Sequence, residues 1–261
     1  MREEQEAARL AYREKEAVEQ QERASQVQAA FDKAFVFPEP AAVTAKLAAL
    51  DSWEATNKRK DILDALRDQP TGFPDRHQQK LRAVLQAQHP AWTSTLAKLQ
   101  AAVLQPGGSI IGLLGPRGTG KTQLATALAR YVAEQTVLTY GDGWERRDGP
   151  VHYTTLAGLL AEVRGTFKDD SRETEAGIMK ALLRYRLLVL DEVHEGSGSD
   201  WASGLFTTLM DRRYGLMLDT ILISNETPDA FTKNIGASVA DRMRETGGVI
   251  LCDWPSFRGA T

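Results

Sequence analysis

Gly115-Pro116-Arg117-Gly118-Thr119-Gly120-Lys121-Thr122 follows the spacing G-x-x-x-x-G-K-[ST], the pattern of a loop that wraps phosphate oxygens in backbone N–H groups. The glycines allow the tight turns that aim several N–H groups at one point. Lys121 adds a mobile positive charge for the β- and γ-phosphates, and Thr122 offers a hydroxyl to Mg²⁺. The flanks fit the same reading. Ile110 to Leu114 is a short apolar run suited to a buried strand, and Gln123 to Val132 has a helical pattern whose N-terminus would face the phosphates. Gly115, Pro116, Arg117, Gly118, Thr119, Gly120, Lys121, Thr122 and Gln123 are therefore the expected contacts of ATP or ADP.

Outward from the loop, apolar runs recur at 110–114, 136–140, 151–155, 187–190, 220–224 and 248–252, with helical stretches between most of them. That alternation predicts an α/β domain with a mostly parallel sheet. The turn-rich stretch 140–150 reads as a hairpin-like excursion between two strands. Toward the N-terminus, residues 92–104 are amphipathic and residues 75–88 are helical in pattern. Residues 1–30 are rich in Glu, Gln, Ala and Arg, a helix-forming composition with a thin apolar stripe. Phe31, Phe35 and Phe37 follow, before Pro38 and Pro40 break the helix. The expected division is a helical partner-binding region over 1–75 and an ATPase domain with linking helices over 76–261.

Bulk properties narrow the function classes. The chain has 261 residues and a formal charge of −3, so any nucleic-acid binding has to come from a local patch. One cysteine, Cys252, excludes an intrachain disulfide and a cysteine-based zinc site; it lies in an apolar run and reads as a core residue. No apolar run is long enough to span a bilayer, and the first residues are charged. A soluble cytoplasmic protein without a membrane partner is expected.

The other half of a nucleotide site follows the loop in order. Leu187-Leu188-Val189-Leu190 delivers Asp191 and Glu192 at the carboxyl end of a buried strand, the edge where α/β sheets bind ligands. Asp191 is the expected Mg²⁺ residue, with Thr122, and Glu192 the expected activator of the attacking water. Ile221 to Ser224 is a second buried run, ending in Asn225, whose amide suits the water or the γ-phosphate. Asp241-Arg242-Met243-Arg244 offers an arginine finger for a neighbouring subunit, and Arg258 a charge for the same phosphate from within the subunit. The competing readings are a surface helix for the first and a frayed tail for the second.

These residues together resemble the AAA+ ATPases, and more narrowly the DnaC-type replicative helicase loaders and their IstB-type transposition relatives. The resemblance covers about residues 92–258. It rests on GPRGTGKT, LLVLDE, DRRY at 211–214, ILISN and the run SVADRMRETGGVILCDWPSFR. It implies a P-loop three-layer sandwich preceded by a helical region, ATP/ADP and Mg²⁺ as cofactors, Arg242 as finger with Arg244 as fallback, and Arg258 as second sensor. It also implies head-to-tail self-association through Arg242. Leu156 to Lys180 looks like the helical insertion of initiators and loaders. Within it, Ala161-Glu162-Val163-Arg164-Gly165-Thr166-Phe167 resembles a stretch whose Phe approaches DNA. Ser199 and Trp201 fall where the family has a DNA-contacting Ser and an aromatic. Phe167 as a core residue and Trp201 as a helix-capping residue are the alternatives. Loading a hexameric helicase onto single-stranded DNA, gripped through the N-terminal helices, is the function implied. A transposition helper acting on duplex DNA, or a nucleotide-gated adaptor with little turnover, would share the same core.

Overall fold

The structure, a computed structural model, describes residues 72–74, 77, 89–140, 150–168, 172–193 and 199–257. The N-terminal helices expected before residue 72, with Phe31, Phe35 and Phe37, lie outside the described residues, as do residues 141–149 and Arg258.

Five apolar runs become strands: β1 (Ile110–Leu114), β2 (Val151–Thr155), β3 (Leu187–Asp191), β4 (Asp219–Ser224) and β5 (Gly248–Leu251). They pair in the order β2-β3-β4-β1-β5, and every pairing is parallel. Parallel neighbours need crossovers. These are α2 (Lys121–Tyr140), α3 (Leu156–Gly165), α4 (Glu175–Leu182), α5 (Asp200–Gly215), α6 (Pro228–Ile235) and α7 (Ala237–Thr246). A further helix, α1 (Pro90–Ala102), precedes β1.

Side chains alternate between the two faces, as strand geometry requires. Ile111, Leu113, Leu187, Val189, Ile221 and Ile223 join Trp92, Leu99, Leu124, Leu128 and Val132 under α1 and α2. Ile110, Leu114, Leu188, Leu190 and Leu222 join a second core built from α3 to α7. Strands β1, β3 and β4 are buried throughout, because helices cover both faces. The expected three-layer architecture is what forms.

One run departs from expectation. Residues 136–140 are β-rich in composition but continue α2 to Tyr140. Thr136 is buried and turns its hydroxyl back onto the Val132 carbonyl at 2.7 Å, which satisfies a β-branched polar residue inside a helix. The stretch after it therefore follows a helix rather than the strand expected there, and residues 141–149 themselves lie outside the described residues. Among the described residues no helix is long and apolar enough to cross a membrane.

The edge of the sheet opposite the loop is pinned by a buried charge network. Arg213 is fully buried and donates to Thr220 Oγ1, to the Leu182 and Tyr185 carbonyls, and to the Asp219 carbonyl. Asp219 accepts from Ser109 Oγ and the Leu104 N–H, and pairs with Arg186 at 3.1 Å. Burial pulls the Arg213 guanidinium down to about 9, against the opposing pull of Asp219, so it stays charged at neutral pH. Removing one member of such a network strands the others away from water. Arg213→Ala should therefore cost about 3–5 kcal/mol in urea unfolding. Arg213→Lys, which keeps the charge but loses the planar fork, should recover less than half of that.

Candidate nucleotide-binding site

The octapeptide leaves β1 at Leu114 and enters α2 at Lys121, so its N–H groups gather at the N-terminus of a helix. Gly115, Gly118 and Gly120 have φ of 145°, 88° and 80°. Two of them are also too crowded for a side chain. A Cβ on Gly115 would lie 2.3 Å from the Cys252 carbonyl oxygen, and one on Gly120 would lie 2.8 Å from the Phe257 ring.

With the N–H groups turned toward a phosphate, the carbonyls face the protein and need donors there. Each finds one. Cys252 N–H donates to Leu114 O at 2.7 Å, Phe257 N–H to Gly118 O at 2.8 Å, and Trp254 Nε1 to Thr119 O at 2.8 Å. Lys121 Nζ, almost buried, donates to the Gly115 and Pro116 carbonyls at 2.7 and 2.8 Å. Trp92 Nε1 approaches Gly120 O from α1 at 3.4 Å. Cys252 is buried, and burial pushes its thiol up to about 12, so it stays a neutral core group as its sequence context implied.

Asp191 ends β3 beside the loop. Its Oδ2 accepts from Thr122 Oγ1 at 2.8 Å and from the Tyr153 hydroxyl at 2.9 Å, and its Oδ1 accepts from the Glu192 N–H at 2.8 Å. Burial first, then the Asp191 charge and hydrogen bond, raise Tyr153 far above the ordinary tyrosine range and keep it a donor. Glu192 takes a left-handed φ of 55°, costing about 1–2 kcal/mol for a residue with a Cβ. That turn leaves its side chain exposed between two buried neighbours, Asp191 and Val193, while Val193 N–H is tied to Ile223 O at 3.0 Å. Asn225 follows Ser224, whose register partner is Leu114, so it stands half-buried at the edge where the loop begins. The hydroxyl of Thr122 and the carboxylate of Asp191 are hard oxygen donors. They suit Mg²⁺, which takes its remaining ligands from water and phosphate. Among the described residues no three His, Cys, Asp or Glu side chains cluster as a separate metal cage.

A family profile described as AAA domain (dynein-related subfamily) matches residues 111–250. The chain belongs to the AAA family of nucleotide-binding ATPases. The replicative helicase loader DnaC of Escherichia coli (strain K12) is 27% identical over 168 residues, 63% of this chain and 63% of that protein. The replicative helicase loader DnaC of Buchnera aphidicola subsp. Acyrthosiphon pisum is 28% identical over 145 residues, 55% of this chain and 54% of that protein. The AAA chain thus spans little more than half the length of these curated relatives. A solved structure described as the DnaC helicase loader aligns at 20% identity over 60% of this chain and 86% of its own, with a TM-score of 0.46.

Away from the loop, this AAA domain disposes the other expected residues in two groups. Arg242, on α7, is folded onto its own chain. It pairs with Asp211 at 3.0 Å, lies 5.4 Å from the Tyr214 ring centroid, and donates to the Ser238 carbonyl and hydroxyl. Arg244, the fallback, is exposed and paired only locally with Asp241. Phe167 and Trp201, read from separate stretches, come together: their rings lie 5.6 Å apart edge to face, and the Arg164 guanidinium sits 5.1 Å from the Trp201 centroid. Phe167 is 60% exposed, which removes the core reading, whereas Trp201 packs partly against the α3–α7 core. Ser199 is the N-cap of α5 and accepts from Ala202 N–H, leaving its own O–H to donate.

Three contributors escaped the sequence reading. Tyr153, Trp92 and Trp254 point at the site from other segments, and only Trp254 carried a signal, as part of the C-terminal run. Trp254→Phe keeps the ring but strands the Thr119 carbonyl. It should weaken ATP binding about tenfold in a fluorescent-nucleotide titration, without loss of helical circular dichroism. Unchanged affinity would mean the loop holds its shape without that donor.

Proposed function

We propose that this protein is an ATP-dependent loader that places a replicative hexameric helicase on single-stranded DNA. The observation that carries the reading is the seat of the C-terminal run. The stretch that most resembles the loaders is the one whose Trp254 and Phe257 hold the carbonyl side of the phosphate loop. The two DnaC relatives, named as replicative helicase loaders, support it.

In this reading the loop N–H groups and Lys121 take the phosphates of ATP, and Thr122 and Asp191 hold Mg²⁺, which neutralises phosphate charge. Glu192 accepts the proton of the attacking water, and Asn225 orients that water or the γ-phosphate. Arg258, which lies outside the described residues, is assigned the γ-phosphate from within the subunit on the resemblance alone. Arg242 acts on the neighbour's γ-phosphate in a head-to-tail assembly. Its pair with Asp211 is partly exposed and worth at most about 1 kcal/mol, so a phosphate oxygen displaces it readily.

Phe167 and Trp201 stack on bases, Arg164 supplies charge, and Ser199 donates to a phosphate. This combination is tolerant of sequence and suited to single strands. The helices expected over 1–75 grip the helicase.

Steady-state ATP hydrolysis with and without single-stranded DNA tests the chemistry. Glu192→Gln should bind ATP normally and turn over about 10²-fold more slowly or worse. Arg242→Ala should lose about 10³-fold while keeping its affinity for ATP. Normal turnover in either variant would remove that residue from its role. Phe167→Ala should lose about 1–3 kcal/mol of single-strand affinity by fluorescence anisotropy. A wild-type preference for duplex would point instead to the transposition helper.

A further inference from the structure

The Tyr153–Asp191 bond is not required by the phosphate-loop motif or by the acidic pair. A carboxylate oxygen has two in-plane lone pairs. Asp191 Oδ2 spends both, one on Thr122 Oγ1 at 2.8 Å and one on Tyr153 OH at 2.9 Å. Oδ1 spends one on the Glu192 N–H at 2.8 Å and keeps one. The direction of the tyrosine hydroxyl is set by packing rather than by chance. Tyr153 is 8% exposed, its ring lies 4.6 Å from that of Phe73, and β2 is locked in register with β3, with Tyr153 opposite Val189 and Thr155 opposite Asp191.

We propose that Tyr153 is a positioning residue that selects the metal: by filling the last lone pair of Asp191 Oδ2, it leaves the carboxylate a single acceptor and prevents bidentate coordination. Mg²⁺ dehydrates reluctantly and keeps several waters, so one outward lone pair that holds a metal-bound water suits it. Ca²⁺ sheds water easily, takes six to eight oxygens and accepts bidentate carboxylates, so it gains most from a carboxylate with both oxygens available. The inference rests on the reading of Thr122 and Asp191 as the Mg²⁺ residues.

The test measures the affinity of the full chain for a fluorescent ADP analogue in EDTA, then across Mg²⁺ and across Ca²⁺, for wild type and Tyr153→Phe. Wild type should need about tenfold more Ca²⁺ than Mg²⁺ for half of the metal-induced gain; equal values would overturn the proposal without any variant. Tyr153→Phe keeps the ring packing, and melting in EDTA checks its fold. Its metal-free affinity should be unchanged, and its Ca²⁺-to-Mg²⁺ ratio should fall about fivefold or more. Replacing Tyr153 with p-aminophenylalanine, which keeps a donor in place, should restore the wild-type ratio. A ratio that stays constant, whether both half-points move together or neither does, would overturn it, as would failure of that rescue. If metal does not raise ADP affinity in wild type, or still raises it fully in Asp191→Asn, the metal reading of Asp191 fails instead, and the proposal with it.

Discussion

A loop that aims its N–H groups at an anion must turn its carbonyls the other way, and a carbonyl turned into the protein needs a donor or costs about 1–3 kcal/mol. The rest of this domain can be understood as the supply of those donors. Cys252, Trp254 and Phe257 arrive from the chain after β5, Trp92 from α1, and Lys121 from the loop's own helix. Segments more than a hundred residues apart in the sequence are thereby committed to one small surface.

The sheet order serves the same end. β1 lies between β4 and β5, and β3 lies on the far side of β4. The carboxyl ends of β1, β3, β4 and β5 therefore present the loop, Asp191, Asn225 and the Cys252–Phe257 segment along one edge. Hydrogen bonds on both Asp191 oxygens fix the carboxylate, while the left-handed turn at Glu192 sends the next side chain outward to water. At the opposite edge, Arg213 and Asp219 hold the strand starts against one another, so the site edge rests on a rigid base.

Local patterns were legible in the sequence, and long-range partnerships were not. The loop, the buried strands and the order of Asp191, Glu192 and Asn225 follow from spacing and hydrophobic runs, because each depends on neighbours in sequence. Residues 136–140 misled because β-branched composition is a weaker constraint than continuation of a helix already nucleated at Lys121. Tyr153 was unreadable because its partner is brought beside it only by the β2–β3 register. Arg213 stood inside the DRRY signature, but nothing in that tetrapeptide distinguishes a buried clamp from a surface charge. Phe167 and Trp201 entered only through the family resemblance, as candidate DNA contacts, and their mutual contact needed α3 and α5 to be packed.

The most direct measurement of the loader reading is an order-of-addition capture experiment with purified replicative helicase, a circular single-stranded DNA and this protein. Helicase retained on the circle is counted with ATP, with ADP and without nucleotide. Capture that requires this protein, depends on ATP and disappears on deletion of residues 1–75 is the predicted result. Capture of helicase that is indifferent to this protein or to the nucleotide would contradict it.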